Sequence, residues 1–168
     1  MEIALSEIER ASERLRPILH HTEMDLSATF SEMAGGQIYL KYENRQKTGS
    51  FKIRGASNKI AAMVEAGRRC SVVASSAGNH AQGVAYAANR FGIPATIVMP
   101  KAAPIAKVQA TEGYGAKVVL EGSCYDDAYA CAKRICAEEG AEFLHPYNDP
   151  EVIAGQGTLG LEILADLP

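Results

Sequence analysis

The sequence predicts an α/β protein, a parallel sheet with flanking helices in a Rossmann-like layering. Short β-branched runs alternate with longer helical patterns along most of the 168 residues. The helical patterns stop at glycines (Gly67, Gly92, Gly140), as helices that feed a following strand do. No internal repeat or low-complexity tract interrupts the alternation.

Taken in order, Ser6 and Glu9 form a candidate capping box, followed at helical spacing by Ile8, Ala11, Leu15 and Ile18. Gln37 to Glu43 alternates as a half-buried strand. A helix is expected to begin after Ser50, its N-cap, and to run to about Ala66. Ser71 to Ala74 is a short buried strand; the loop Ser75 to Asn79 and a helix to about Phe91 follow. Ala95 to Met99 is the next strand, closed by Pro100 and Pro104. A helix through Ile105 to Tyr114, a strand Lys117 to Leu120, a helix Tyr125 to Glu139 and a strand Glu142 to His145 complete the series. Right-handed crossovers would join the four strands into one parallel sheet, with binding loops at their carboxyl ends.

Composition narrows the function classes. A 47% hydrophobic, 22% charged chain reads as soluble and globular, and a net charge of -3 without a basic stripe argues against nucleic acid. No apolar run approaches the roughly 20 residues of a membrane span, and the start lacks a signal-peptide pattern, so a cytoplasmic location is expected. Cys70, Cys124, Cys131 and Cys136 form no CxxC pair and are expected to be reduced. No zinc-like spacing links them to His20, His21, His80 or His145, and no metal is expected.

Two segments carry chemistry. In Lys47-Thr48-Gly49-Ser50-Phe51-Lys52-Ile53-Arg54-Gly55, Lys52 falls in the first turn of its helix, where the positive helix end and partial burial both disfavour an ammonium. The neutral amine that results attacks aldehydes. Taken alone, such a lysine is more often a solvated charge. In Ser75-Ser76-Ala77-Gly78-Asn79-His80-Ala81-Gln82-Gly83, a strand gives way to a helix, so free N–H groups of Ser76, Ala77, Gly78, Asn79 and His80 can cradle an anion. Without context the more ordinary reading is a capped turn with Asn79 as N-cap. His80 reads either as a general base or, more simply, as a helix-start histidine bonded to backbone. Gly155, Gly157 and Gly160 spell G-x-G-x-x-G, but no strand directly precedes them; close helix packing explains them better than a dinucleotide site.

Asn44 to Ala56, Ser76 to Gly83 and Asp149 to Thr158, taken together and in this order, resemble the serine/threonine dehydratases, and biodegradative threonine dehydratases most. These are fold-type II enzymes that use pyridoxal 5'-phosphate (PLP). The resemblance covers nearly the whole chain. It implies that Lys52 binds the PLP aldehyde and acts as catalytic base, with Phe51 beside the ring and Asn79 bonded to the ring hydroxyl. Ser76, Ala77, Gly78, Asn79 and His80 would receive the substrate carboxylate. The implied reaction is dehydration and deamination of L-threonine or L-serine to a 2-oxoacid and ammonia. Related serine racemases carry a serine directly before the Gly-Asn-His; Ala77 stands there in this chain, which favours elimination.

The resemblance also divides the chain: residues 1–52 would open a large lobe, 53–152 form the small α/β lobe, and 153–168 return to an incomplete large lobe. His21-Thr22-Glu23-Met24 departs from the family pattern near the start. A glycine-rich loop for the PLP phosphate does not occur, so weak or no turnover is expected from these residues alone, with a homo-oligomer or a C-terminal half completing the site. The competing expectations are a non-catalytic fragment that binds anions or a partner chain, and a racemase or cysteine synthase-like enzyme.

Overall fold

The computed structural model describes residues 2–167. In chain order these form α1 (Leu5–Leu15), β1 (Met24–Leu26), α2 (Ala28–Ala34), β2 (Tyr39–Lys41), a 3-10 turn (Glu43–Arg45), α3 (Lys52–Glu65), β3 (Val72–Ser75), α4 (Asn79–Phe91), β4 (Ala95–Met99), α5 (Ile105–Gly113), β5 (Lys117–Leu120), α6 (Tyr125–Glu139), β6 (Glu142–Phe143) and α7 (Pro150–Asp166).

The sheet is four-stranded and parallel, in the order β5-β4-β3-β6. Side chains alternate across it, as the pleat requires. Val72 and Ala74 of β3, with Ile97 and Met99 of β4, face a core built from Ile60 and Met63 of α3 and Val84 and Ala88 of α4. Val73 and Val98 point the other way, onto Ala128, Cys131, Ala132 and Cys136 of α6. Both faces are therefore covered, and β3 and β4 are buried throughout.

Several local expectations are corrected. The first helix starts earlier than Ser6 and Glu9 imply: Ala4 is its N-cap, and the Glu7 carboxylate accepts the Ala4 N–H at 2.8 Å. Gln37 to Glu43 contributes only β2, which pairs antiparallel with the unanticipated β1. Ser50 is not the N-cap of α3. Phe51 takes that place in a helical conformation (φ -64°, ψ -15°), while Ser50 Oγ accepts the Lys52 N–H at 3.4 Å. Asn79 likewise is the first helical residue of α4, after Gly78 as cap.

The three late glycines lie inside α7. A Cβ at Gly155 would fall 2.7 Å from Arg54 O and from Gly55 Cα, so α7 and α3 meet backbone to backbone there. All four cysteines are unbonded. Among the described residues no helix is long and apolar enough to cross a membrane.

Candidate active site

Lys52 is the first residue of α3 and is half-buried. Its Nζ donates to the Pro146 carbonyl at 3.0 Å and lies 5.3 Å from the centre of the Phe51 ring. Burial pushes its ammonium below the usual lysine range, in the direction that favours the nucleophilic neutral amine. Pro146 follows β6, and β6 pairs with β3, whose own end leads into Ser76–Asn79. Both loops thus leave the carboxyl edge of the sheet beside each other, where ligands bind in such folds.

α4 approaches Lys52 through Gly83. A Cβ there would lie 3.2 Å from Lys52 C and from Ile53 N and Cα. This close packing brings His80, one turn earlier, near the Lys52 charge. His80 is buried; its Nε2 contacts the Leu144 carbonyl at 3.1 Å. Desolvation, with a smaller push from Lys52, lowers its pKa to about 4, so the ring is neutral at pH 7. The backbone-bonded reading of His80 is the one the structure supports.

The start of α4 fits an anion. No side chain caps the helix, so the N–H groups of its first turn stay open. By contrast, the Asp149 carboxylate accepts the Glu151 and Val152 N–H groups at the start of α7. Ser76 Oγ accepts the Gly78 N–H at 3.2 Å, which shapes the loop, and the space where a Gly78 side chain would point is empty to 4 Å. Asn79 is exposed at the mouth of this loop, while Ala77 is partly buried against the core. Thr48 Oγ1, Ser75 Oγ and His80 Nδ1 are buried without partners. A half-buried amine beside an uncapped helix start suits a ligand that carries both an aldehyde and negative charge.

Behind Lys52, Arg54 anchors the start of α3. Its side chain is fully buried; Nε and Nη2 donate to Glu43 at 2.8 Å, and Nη1 and Nη2 to Glu162 at 2.7 and 3.0 Å. Thr22 Oγ1 donates to Glu43 at 2.6 Å, and Lys41 Nζ reaches Glu162 at 2.9 Å. The loop before Lys52 and the helix α7 are thereby tied to the same guanidinium.

The sequence motifs include Phe51, Lys52 and the Ser76–His80 loop, and Gly83 only as the last residue of the second motif, but not Pro146. A mid-helix glycine was the available signal for Gly83. A backbone carbonyl such as that of Pro146 has no side-chain signature.

A half-buried lysine amine at the carboxyl edge of a parallel α/β sheet, beside an uncapped helix start, fits a cofactor-dependent enzyme of amino-group chemistry. Residues 16–168 match the family "Pyridoxal-phosphate dependent enzyme", and the chain belongs to it, as a fold-type II member. It is 59% identical over 166 residues to the L-threonine ammonia-lyase of Thermotoga maritima, covering 99% of this chain and 41% of that protein. It is 50% identical over 167 residues to the catabolic L-threonine dehydratase of Escherichia coli K12, covering 99% of this chain and 51% of that one. Among solved structures, a PLP-dependent aspartate racemase superposes with a TM-score of 0.95 at 38% identity, over 100% of this chain and 53% of its own. The chain spans about half the length of the curated relatives it matches.

Proposed function

We propose that the enzyme to which these residues belong dehydrates and deaminates L-threonine or L-serine to a 2-oxoacid and ammonia, with Lys52 as its reactive amine. The observation that carries this reading is the desolvated Lys52 amine beside the uncapped start of α4. Bound PLP supplies an electron sink for the bond-breaking at the substrate. Lys52 would hold the cofactor aldehyde and, once released as a neutral amine, take the proton from the substrate Cα. The Ala77, Asn79 and His80 N–H groups would hold the carboxylate, since the Ser76 N–H donates to the Val98 carbonyl at 3.2 Å and the Gly78 N–H to Ser76 Oγ. Asn79 would bond the ring hydroxyl, and Phe51 would pack beside the ring.

The lobe division accords with this reading. Residues 53–152 hold the parallel sheet, while β2 and the end of α7 meet at Arg54 through Lys41 and Glu162. The apolar face of Phe30, Met33, Ile38 and Leu40 fits burial against a second copy or a further stretch of enzyme. Four unbonded thiols fit a reducing, cytoplasmic setting.

The likeness to an aspartate racemase raises racemisation as a second reading. Ala77 weighs against it, because a methyl group offers no proton to the opposite face of the substrate. Adding PLP to the full-length enzyme is expected to give a near-visible absorbance band that L-threonine or L-serine perturbs, with 2-oxoacid and ammonia released and no D-amino acid. Lys52→Ala should abolish the band. A band indifferent to that substitution would refute the assignment of Lys52.

A further inference from the structure

We propose that His145 is a positioning residue for Lys52: its neutral imidazole folds residues 145–148 into a turn that presents the Pro146 carbonyl as the resting dock of the free amine. The inference rests on the reading of Lys52 as the reactive amine.

The turn is built on one nitrogen. His145 Nδ1 accepts the N–H of Tyr147 at 3.3 Å and that of Asn148 at 2.8 Å. A nitrogen that accepts two N–H bonds carries no proton, so the ring is the neutral tautomer with hydrogen on Nε2. The ring is steadied edge-on by Tyr147, 4.5 Å between centres, and by Phe143 at 6.2 Å. His145 therefore does with imidazole what asparagine or aspartate does in an Asx turn.

Both ends of the turn are fixed elsewhere. Upstream, Leu144 N donates to Val73 O at 2.8 Å, and His80 Nε2 holds the Leu144 carbonyl at 3.1 Å. Downstream, Asp149 caps α7 and pairs with Lys59 Nζ at 2.8 Å. Between these anchors, the direction of the Pro146 carbonyl is set by the turn, and that carbonyl is what Lys52 Nζ meets at 3.0 Å. The contact orients the amine whenever it is free.

Protonation of Nδ1 would replace an acceptor by a third donor and open the turn. The charged and titratable groups around the ring are Asp149 in the same loop, Lys133 on α6, His80 on α4 and, beyond it, Lys52 on α3. Burial pushes the imidazole down, Asp149 pulls it up and Lys133 pushes it down; the balance lies below the usual histidine range. The dock is thus intact at neutral pH and is lost on acidification.

Two measurements test this. In the first, lysines are arylated with limiting dinitrofluorobenzene at pH 8 and quantified by peptide mass mapping, with exposed Lys101 and Lys117 as references. His145→Ala is expected to raise the Lys52 rate about three- to tenfold, the scale of one lost hydrogen bond. His145→Asn, whose side chain accepts the same two N–H groups, should stay within about twofold of the parent. In the second, the Tyr147 and Asn148 amide resonances should move together as His145 titrates in the parent, and not move in His145→Asn. A parent-like Lys52 rate in His145→Ala, an equal rise in His145→Asn, or amides indifferent to the titration would each overturn the proposal. Reference lysines that speed up in His145→Ala would report unfolding, and the decision then falls to His145→Asn and the parent titration. An absorbance band indifferent to Lys52→Ala would sink the functional reading while leaving these rates and resonances as they are.

Discussion

Gly83 of α4 lies so close to the Lys52–Ile53 peptide of α3 that a Cβ on it would come within 3.2 Å of three backbone atoms. The two helices therefore meet at Lys52, and their separation sets where its amine stands.

Gly83→Ala opposes two effects of similar size. Alanine gains about 1 kcal/mol of helix propensity over glycine, and overpacking against backbone costs about 1–3 kcal/mol. The net change in denaturant midpoint should be small, yet α4 must move away from Lys52. The expected outcome is a folded protein with a markedly weakened Lys52-dependent PLP band, read by urea titration and absorbance in parallel. An unaltered band would mean that this spacing does not matter.

Elements with strong patterning were legible in the sequence. β4, β5 and α6 fall on the predicted residues because β-branched runs and apolar helix faces there are bounded by glycine or proline. β1 and α2 were not, since Met24–Leu26 is three residues long and α2 has no buried residue to impose a period. Ser50 misled because it has an N-cap's chemistry, but Phe51 already turns helically and moves the cap one residue on. Lys52 and the Ser76–His80 loop were visible as motifs. Their junction was not, because a backbone carbonyl (Pro146) and a missing side chain (Gly83) make it.

Arg54→Met should be strongly destabilising. It strips the guanidinium from Glu43 and Glu162, and breaking a buried pair by removing one partner costs about 3–5 kcal/mol. Burial pushes Glu162 up, but hydrogen bonds from Arg54 and Lys41 outweigh it and hold the carboxyl below its ordinary 4.5. A depressed carboxyl contributes stability above its unfolded pKa and loses it as pH falls through the folded value. The deficit of Arg54→Met relative to the parent should therefore be largest at pH 7 and shrink towards pH 4. Urea midpoints at the two pH values would show it, and a deficit constant with pH would contradict this account.

The glycines of α7 separate packing from propensity. A Cβ at Gly155 would fall 2.7 Å from Arg54 O and Gly55 Cα, whereas one at Gly160 would meet nothing within 4 Å. Gly155→Ala is expected to lower the thermal midpoint through overpacking that costs about 1–3 kcal/mol or more. Gly160→Ala should leave it unchanged or raise it, by about 0.5–1 kcal/mol of helix propensity. Equal effects at the two sites would deny that α7 is held against α3 at Gly155.

His80 should make the protein acid-sensitive before its carboxylates do. Its pKa falls from 6.5 to about 4 on folding, chiefly through desolvation. Between those values the unfolded chain binds the extra proton and the folded chain does not, so stability drops as pH falls through that window. The loss approaches roughly 3 kcal/mol by the lower end, at about 1.4 kcal/mol per pH unit. His80→Gln keeps a donor for the Leu144 carbonyl without a titrating group. Its urea midpoint should change less between pH 7 and pH 5 than the parent's. If both proteins lose stability in parallel over that range, the acid sensitivity has another source and His80 is not held neutral by its burial.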